Sequence, residues 1–184
     1  NPLNPMHLFG IGKNYFIADD CEQAMKLWRT AFAANGIHQQ YIALILVQEL
    51  PAQVFLHEFK PDWSAMEMLW QAYEANGSLS DQQAIMHYAA QKIAQVSPTL
   101  LPEFACKAWN TLADMQLKLN DQHAAYQSLQ QAYKAYPNSI DVRRKLGKCL
   151  IAFGQFDAAE HHLYWCAQQL PNHHPVQLEL QQAT

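Results

Sequence analysis

Two consecutive segments of equal length decide the fold of this chain. Residues 106–139 read CKAWNTLADMQLKLNDQHAAYQSLQQAYKAYPNS, and residues 140–173 read IDVRRKLGKCLIAFGQFDAAEHHLYWCAQQLPNH. The segments align without a gap, and identical residues recur 34 positions apart in pairs such as Leu112 and Leu146, Ala125 and Ala159, Leu129 and Leu163, and Pro137 and Pro171. A fixed period of this length indicates a repeat protein, in which each unit buries its apolar face against its neighbours.

Each segment has the pattern of two amphipathic helices. In the first segment, residues at i, i+3, i+4 and i+7 form one helical face, followed by a second face with the same spacing: Trp109, Leu112, Ala113 and Gln116, then Ala125, Leu129 and Ala132. Asn120 and Asp121 separate the two helices. Pro137 ends the second helix, because proline lacks a backbone N–H and clashes with a continuing turn. Gly154 and Pro171 hold the corresponding positions of the second segment.

These residues resemble the tetratricopeptide repeat, a helical hairpin of 34 residues with Trp, Leu, Gly, Tyr, Ala, Phe, Ala and Pro at fixed positions. The same frame laid from Pro5 matches at six of those eight positions: Ile11, Gly12, Tyr15, Ala24, Trp28 and Ala31. The resemblance implies an all-α fold, an α-α superhelix of antiparallel helical hairpins. We expect small residues where paired helices approach most closely, namely Gly12, Gly147, Ala24, Ala125, Ala132 and Ala159, with Trp28, Trp109 and Leu163 filling the spaces between units.

The frame divides residues 1–184 into one solenoid of unequal units. We predict repeats at 5–38, 106–139 and 140–173, an irregular repeat at 63–99, and at 174–184 a capping helix or the start of another hairpin. In the irregular repeat, Trp70 stands where glycine is expected. The block 39–62 fits no frame, because Pro51 and Pro61 interrupt it. There we predict a degenerate hairpin with helices over 39–50 and 52–59, whose inward side chains are Val54, Phe55, Leu56 and Phe59.

The N-terminal end of the array is expected to expose apolar surface. In this frame residues 1–4 correspond to the tail of a preceding unit, which predicts that the chain comes from a longer array. A solenoid end without its cap exposes side chains that a neighbouring repeat would cover. Leu8 and Tyr15 are the candidates, and we expect that end to be able to self-associate.

Composition and charge exclude several classes of function. Half of the residues are hydrophobic and only 15% are charged, which argues against a disordered chain. The net charge of -4 gives no excess of cations to neutralise phosphates, so we expect no nucleic-acid partner. The longest apolar run, residues 41–47, is far shorter than the roughly 20 residues needed to cross a bilayer, so we expect no membrane insertion.

The sequence carries no motif of a known catalytic mechanism. It has no glycine-rich phosphate loop, no H-E-x-x-H and no G-x-S-x-G, so we predict no catalytic residues and no cofactor. The four cysteines form no C-x-x-C pair, which predicts free and mostly buried thiols. His162 and Cys166 lie four residues apart and could share a helix face, but two ligands do not make a metal site, and we predict none.

The resemblance implies where a ligand would lie. In tetratricopeptide proteins the first helix of each hairpin lines a concave groove that holds extended peptides. We therefore predict a non-catalytic module that binds a protein or peptide. The matching positions in successive units are Phe9, Lys13 and Phe16; Glu67, Gln71 and Glu74; Asn110, Asp114 and Leu117; and Arg144, Lys148 and Ile151.

One pair among these positions has a specific charge pattern. Arg144 and Lys148 lie four apart, project from one helix face and could hold a carboxylate between them. This resembles the basic half of the carboxylate clamp of chaperone-binding family members. However, Asp114 stands where a clamp presents Asn, and Glu67 would repel the same ligand. Alternatively, Asp141, three residues before Arg144 and four before Lys145, partly satisfies this basic cluster within its own helix. For Phe9 and Phe16 the alternative is core packing against a preceding unit.

A second interpretation of the whole chain stays open. It would be the soluble appendage of a larger enzyme or membrane protein, such as a glycan-handling ligase or transferase, with the block 39–62 as a docking surface. The residues encoded on either side would separate the two interpretations.

Overall fold

The computed structural model describes residues 4–171 and 174–183, and all the regular structure within them is helical. The α-helices of this part of the chain are α1 Pro5–Ile17, α2 Cys21–Phe32, α3 Ile37–Leu46, α4 Ala52–Phe59, α5 Met66–Asn76, α6 Leu79–Val96, α7 Pro102–Lys118, α8 Gln122–Ala135, α9 Ile140–Ala152, α10 Phe156–Gln169 and α11 His174–Ala183. Single 3₁₀ turns precede α5 and follow α6, at Trp63–Ala65 and Ser97–Thr99. The chain divides into two compact units, Asn1–Lys92 and Ile93–Thr184, called here the N-terminal and C-terminal units.

The first hairpin of the N-terminal unit is held together at a close approach between a glycine and a tryptophan. A Cβ on Gly12 would collide with Nε1 of Trp28, so no larger residue fits there unless the helices move apart. Trp28 is fully buried, and its Nε1 donates a hydrogen bond to the carbonyl oxygen of Phe9 at 3.1 Å. Asp20 caps α2 by accepting a hydrogen bond from the backbone N–H of Gln23. The residue types predicted at this contact are therefore explained by packing.

The core of the N-terminal unit is aromatic and centres on the short helix α4. Phe55 and Phe59 stack with ring centroids 4.5 Å apart, and both meet Phe32 edge-on. The hydroxyl of Tyr73 donates to the carbonyl oxygen of Leu50 at 3.1 Å and thereby ties α5 to the turn before α4. Residues 52–59 form a helix as the sequence predicted.

Two details of the block 39–62 were predicted wrongly. The first helix spans Ile37–Leu46 instead of 39–50; it begins directly after Gly36, and residues 47–50 form a turn before Pro51. Val54 is 43% exposed and does not pack inward. The buried residues of α4 are Ala52, Phe55, Leu56 and Phe59, at i, i+3, i+4 and i+7, so position i+2 points to the opposite side of the helix.

Helix α1, at the N-terminal end of the array, exposes only part of the apolar surface that was expected there. Tyr15 is 41% exposed, as expected, and Ile11 is 40% exposed. Leu8 is buried, contrary to the expectation, because it lies one turn before Gly12 on the face that packs against α2. The predicted tail of a preceding unit lies outside the described residues except for Asn4, whose side chain caps α1 by accepting from the N–H of Met6.

The C-terminal unit consists of the hairpins α7–α8 and α9–α10 followed by α11. Helix α7 begins at Pro102, four residues before the start of the frame. A Cβ on Gly147 would lie 2.6 Å from Cγ of Leu163, so α9 and α10 approach as closely here as α1 and α2 do at Gly12. The small residues predicted at such contacts are completely buried: Ala24, Ala125, Ala132 and Ala159.

The glycine turn of the C-terminal unit and the four cysteines of the chain agree with the sequence predictions. Gly154 adopts a left-handed backbone with φ of 70° between α9 and α10. Cys106, Cys149 and Cys166 are buried, Cys21 is exposed, and all four are free, so the prediction of mostly buried thiols is confirmed. Of the helices in the described part of the chain, none combines the length and the apolarity needed to cross a bilayer.

Candidate functional site

In the N-terminal unit the first helices of successive hairpins lie side by side. Helix α3 contacts α1 on one side and α5 on the other. The unit therefore brings the predicted positions of α1 and α5 to the two sides of α3. The helix between them comes from the block that fitted no repeat frame.

The predicted aromatic positions of α1 are partly used for packing. Phe9 is half-buried and stacks on Tyr41 of α3, with ring centroids 5.7 Å apart, and on Trp28 at 6.4 Å. Phe16 packs against Trp28 at 5.3 Å. Both rings are thus engaged inside the N-terminal unit, whereas Lys13 is exposed.

A depression of about 170 Å³ lies between α3 and α5. Its lining combines amide and apolar side chains and contains no ionisable group: Gln40, Leu44, Met68, Gln71, Ala72, Ala75 and Asn76. Leu44 is 44% exposed, and the neighbouring Tyr41 on the same helix is 41% exposed. Glu67, one turn before Gln71, is also exposed. We call the exposed side chains of Gln40, Tyr41, Leu44 and Gln71, together with the half-buried Met68 between them, the α3–α5 surface.

The α3 members of this surface, Gln40, Tyr41 and Leu44, were missed at the sequence level. No repeat frame covers residues 39–62, so no groove position was assigned there. The available signal was that α3 carries apolar residues on more than one face. Ile42 and Leu46 are buried, while Tyr41 and Leu44 face solvent, and a helix that is apolar on two sides usually has two partners.

In the C-terminal unit, α7 and α9 are joined through Lys145. Its Nζ lies 3.1 Å from Oδ1 of Asn110 and 2.7 Å from Oδ1 of Asp114. Asp141 completes the cluster, with Oδ2 at 2.9 Å from Nζ of Lys145 and 2.8 Å from Nδ2 of Asn110. The predicted groove positions Asn110 and Asp114 are therefore engaged with a neighbouring helix. As the alternative for Asp141 expected, this carboxylate pairs with Lys145 of its own helix, and its charge also acts on Arg144. The pair Arg144 and Lys148 has a further partner.

That partner is Glu179 of α11. Arg144 donates from Nε and Nη2 to the two carboxylate oxygens of Glu179, each at 2.7 Å, and Nζ of Lys148 lies 3.1 Å from Oε1. Burial by itself would raise the pKa of Glu179, but the hydrogen bonds from Arg144 and Lys148 hold it below its usual value. The basic pair thus binds a carboxylate, as its spacing predicted, and the carboxylate belongs to the same chain. Sequence reasoning missed Glu179 because it left open whether residues 174–184 form a cap or a new hairpin. The helix against which Glu179 packs was therefore not assigned.

The side chains at the remaining predicted groove positions pack against apolar clusters or take part in other interactions. Leu117 and Ile151 are half-buried against apolar clusters of the C-terminal unit. Glu74 is half-buried and takes part in an interaction.

Beside Asn110 a cleft of about 410 Å³ is lined by Glu103, Cys106, Lys107, Tyr136, Ser139 and Val142. Burial raises the pKa of the Cys106 thiol, which keeps it protonated and a poor nucleophile at neutral pH.

Cys166 is buried in the C-terminal unit, and His162, one turn before it on α10, is half-buried. Burial lowers the pKa of His162 to about 4, with a further contribution from the charge of Arg143. The thiol of Cys166 donates to the carbonyl oxygen of Ile140 at 3.6 Å. Within residues 4–171 and 174–183, no group of three or more His, Cys, Asp and Glu side chains could hold a metal ion.

A family model matches part of this chain. Residues 116–177 match the family model of the tetratricopeptide repeat. The solved structure of the APC/C hetero-tetramer Cut9-Hcn1 is similar over 100% of this chain and 36% of that chain, with 18% identity and a TM-score of 0.59. This chain therefore spans about a third of its length. No curated protein matches the sequence significantly.

Two other solved structures show the same fold. MamA is 14% identical with a TM-score of 0.52, over 93% of this chain and 81% of that chain. The nearly identical TPR-like repeats assigned to a Podosopora anserina kinesin light chain are 20% identical with a TM-score of 0.54, over 97% of this chain and 84% of that chain. The predicted resemblance to the tetratricopeptide repeat and the predicted all-α solenoid fold are confirmed.

Proposed function

We propose that this chain, which carries tetratricopeptide repeats, binds an extended segment of a partner protein on the α3–α5 surface of its N-terminal unit. Tetratricopeptide repeats are in general protein–protein interaction modules. The proposal assigns no catalytic residue and no cofactor to the chain. The partner is a protein or peptide, and neither nucleic acid nor membrane insertion enters the proposal.

The observation that carries the proposal is the uncharged depression between α3 and α5. An extended peptide must satisfy its backbone N–H and C=O groups, and the side-chain amides of Gln40 and Gln71 can each donate and accept hydrogen bonds. Leu44 and Met68 line the same depression and offer an apolar contact to a side chain of the peptide. A ligand with an apolar anchor residue in an extended backbone fits both features.

Exposed charges on either side of the α3–α5 surface favour one orientation of the ligand. Lys13 is exposed on α1, and Glu67 is exposed on α5. A peptide with an acidic residue toward α1 and a basic residue toward α5 places opposite charges together at both ends. The reversed peptide would place like charges together.

The test uses peptides selected against the intact chain from a random dodecapeptide library displayed on phage. The selected peptide is synthesised, and its Kd is measured by isothermal titration calorimetry. Leu44→Asp should weaken binding by about tenfold or more, since it places a charge in an apolar contact. Val54→Asp is the matched control, because Val54 is 43% exposed against 44% for Leu44 and lies outside the depression. Equal loss in both variants, or no selected peptide at all, would contradict the proposal.

A second candidate function is that of an appendage of a larger enzyme or membrane protein. This chain spans 36% of the chain that it matches in the Cut9-Hcn1 structure, which is compatible with both candidates. The coding sequence on either side separates the candidates: a catalytic domain or membrane spans would support the appendage, and further repeats would support a binding scaffold.

A further inference from the structure

Arg143, on α9, is a nearly buried cation without an acidic partner. It is 8% exposed, and none of the ion pairs between described residues includes it. Its Nε donates to the carbonyl oxygen of Pro137 at 2.7 Å, while Nη1 and Nη2 make no hydrogen bond within residues 4–171 and 174–183. A buried charge costs free energy of folding unless an opposite charge or enough hydrogen bonds compensate it. The two terminal nitrogens of Arg143 are therefore donors available to a ligand.

The repeat period shows that the hairpin does not need this charge. Arg143 lies 34 residues after Trp109 and 34 before Gln177, so it stands where the repeat pattern places tryptophan. Nε2 of Gln177 donates to the carbonyl oxygen of Pro171 at 3.4 Å, which is the equivalent of the bond from Arg143 to Pro137. An uncharged side chain makes the same hydrogen bond in the next unit, so this bond does not explain the charge of Arg143.

The surroundings of the guanidinium group are aromatic and contain a second polar group without a partner. Cζ of Arg143 lies 4.1 Å from the ring centroid of Trp165 and 5.0 Å from that of Tyr133. The ring of His162 meets the same Tyr133 ring edge-on at 5.2 Å, and its Nδ1 has no hydrogen-bond partner. Burial and the charge of Arg143 lower the pKa of His162, so the two groups are close enough to interact. Three donors without an acceptor thus lie together where α8, α9 and α10 meet.

We infer that Arg143 and His162 bind a phosphate group, with Nη1 and Nη2 of Arg143 and Nδ1 of His162 as the three donors. A phosphate monoester has three free oxygens and close to two negative charges at neutral pH, whereas a carboxylate has two oxygens and one charge. The edge of a guanidinium group suits two of these oxygens. Nδ1 of His162 is covered in the free chain, and rotation of this half-buried ring exposes it to the third.

This inference goes beyond the proposed function, because the site lies elsewhere and takes a different ligand. Arg143 contacts α8 and α10, the second helices of their hairpins, whereas Arg144 and Lys148 contact α11. The depression between α3 and α5 has no ionisable group in its lining. Leu44→Asp should therefore leave phosphate binding unchanged, and each idea can fail without the other.

The experiment titrates the intact chain with two probes and follows the imidazole signals by NMR at pH 7 and constant ionic strength. The probes are inorganic phosphate and a heptapeptide with phosphoserine between two triglycine segments. Both should shift the His162 signals saturably, because a bound dianion favours the protonated imidazole. The same heptapeptide with serine should not. Tighter binding of the phosphopeptide would support a phosphorylated residue of a partner as the source of the phosphate, and equal or weaker binding would support free phosphate.

Arg143→Gln tests the guanidinium group itself. It keeps a donor for Pro137, as Gln177 does for Pro171, and should weaken the binding of both probes by about tenfold or more through the loss of charge-assisted hydrogen bonds. Lys134→Gln is the matched control: Lys134 is exposed on α8 in the same unit, and the change in net charge is the same. Circular dichroism checks that both variants keep their helices.

Two results would overturn the inference. One is a set of His162 signals that neither probe shifts beyond the effect of sodium chloride; the other is probe binding that Arg143→Gln retains. Thermal melting gives an independent measurement. Inorganic phosphate should raise the melting temperature of the wild type more than that of Arg143→Gln. Since phosphate also stabilises folded proteins by exclusion from their surface, an equal rise in both proteins would reject a site at Arg143.

Discussion

Two glycines on helical faces, with opposite surroundings, show how single residues set the distance between helices. A Cβ on Gly147 would lie 2.6 Å from Leu163, whereas a Cβ on Gly10 would meet nothing within 4 Å. Glycine is unfavourable in a helix relative to alanine. At Gly147 it is explained by the lack of space for a Cβ between α9 and α10.

Substituting alanine at both positions should therefore change stability in opposite directions. We expect Gly147→Ala to lower the free energy of unfolding by about 1–3 kcal/mol through overpacking against Leu163. Gly10→Ala should raise it by up to about 1 kcal/mol through helix propensity. Urea unfolding followed by circular dichroism measures both. A Gly147→Ala variant as stable as the wild type would show that α9 and α10 can separate at no cost.

A half-buried histidine should make the C-terminal unit sensitive to acid. Burial lowers the pKa of His162 to about 4, and Nδ1 of this ring has no hydrogen-bond partner. In the unfolded chain a histidine titrates near pH 6.5, so between about pH 6.5 and 4 the unfolded state binds more protons than the folded state. Stability should therefore fall as the pH falls through this window, by roughly 1–3 kcal/mol in total.

His162→Phe tests this contribution, because phenylalanine keeps an aromatic ring against Tyr133, which the imidazole meets edge-on at 5.2 Å. We expect the free energy of unfolding of this variant to change less between pH 7 and pH 4.5 than that of the wild type. Identical pH profiles for the two proteins would assign the acid sensitivity to other groups.

At the scale of elements, the short helix α4 shows what the sequence could and could not predict. Two prolines and the need for an even number of helices located a helix at residues 52–59, and it is there. The inward position of Val54 was wrong, because a helix of eight residues has one buried face, and that face is set by Phe55 and Phe59.

Alanine substitutions in α4 should distinguish the buried face of this helix from its exposed side. Phe55 is completely buried and contacts Phe32, Phe59 and Tyr73, so Phe55→Ala should cost about 3–5 kcal/mol of unfolding free energy. Val54→Ala, on the exposed side, should change it by no more than about 0.5 kcal/mol. Urea unfolding measures both, and similar losses in the two variants would contradict the orientation of α4.

The candidate site was less predictable than the fold, and the reason is physical. Repeat periodicity reports the small and large residues that pack between helices, so it located Gly12, Gly147 and Trp28. Ion pairs between helices depend on single side chains that the period does not constrain. The contact of Arg144 with Glu179, 35 residues later, could be found only once α9 and α11 were placed together.

At the scale of the whole molecule, the exposed face of α1 bears on the oligomeric state. Ile11 and Tyr15 lie four residues apart and are 40% and 41% exposed. We propose that the chain self-associates through this face, weakly, because the patch is small compared with a stable dimer interface.

Sedimentation velocity at increasing concentration checks this expectation. Ile11→Glu combined with Tyr15→Glu should keep the chain monomeric at concentrations where the wild type associates. Leu178→Glu is the control, since Leu178 is 46% exposed on α11, far along the sequence. Association that Leu178→Glu abolishes and the α1 variant retains would place the interface elsewhere.

Lys145 and Glu179 lie 34 residues apart, at equivalent positions of neighbouring repeats, but carry opposite charges and bind Asp114 and Arg144, respectively. This difference restricts which repeat the array can lose. Loss of residues 140–173 removes one period of 34 residues and would leave the hairpin pattern intact. Glu179 would then take the place of Lys145 and face Asp114, a carboxylate against a carboxylate. The shortened chain should melt at a higher temperature when it also carries Glu179→Lys. Removal of one complete repeat should therefore destabilise this junction, although the 34-residue period is kept.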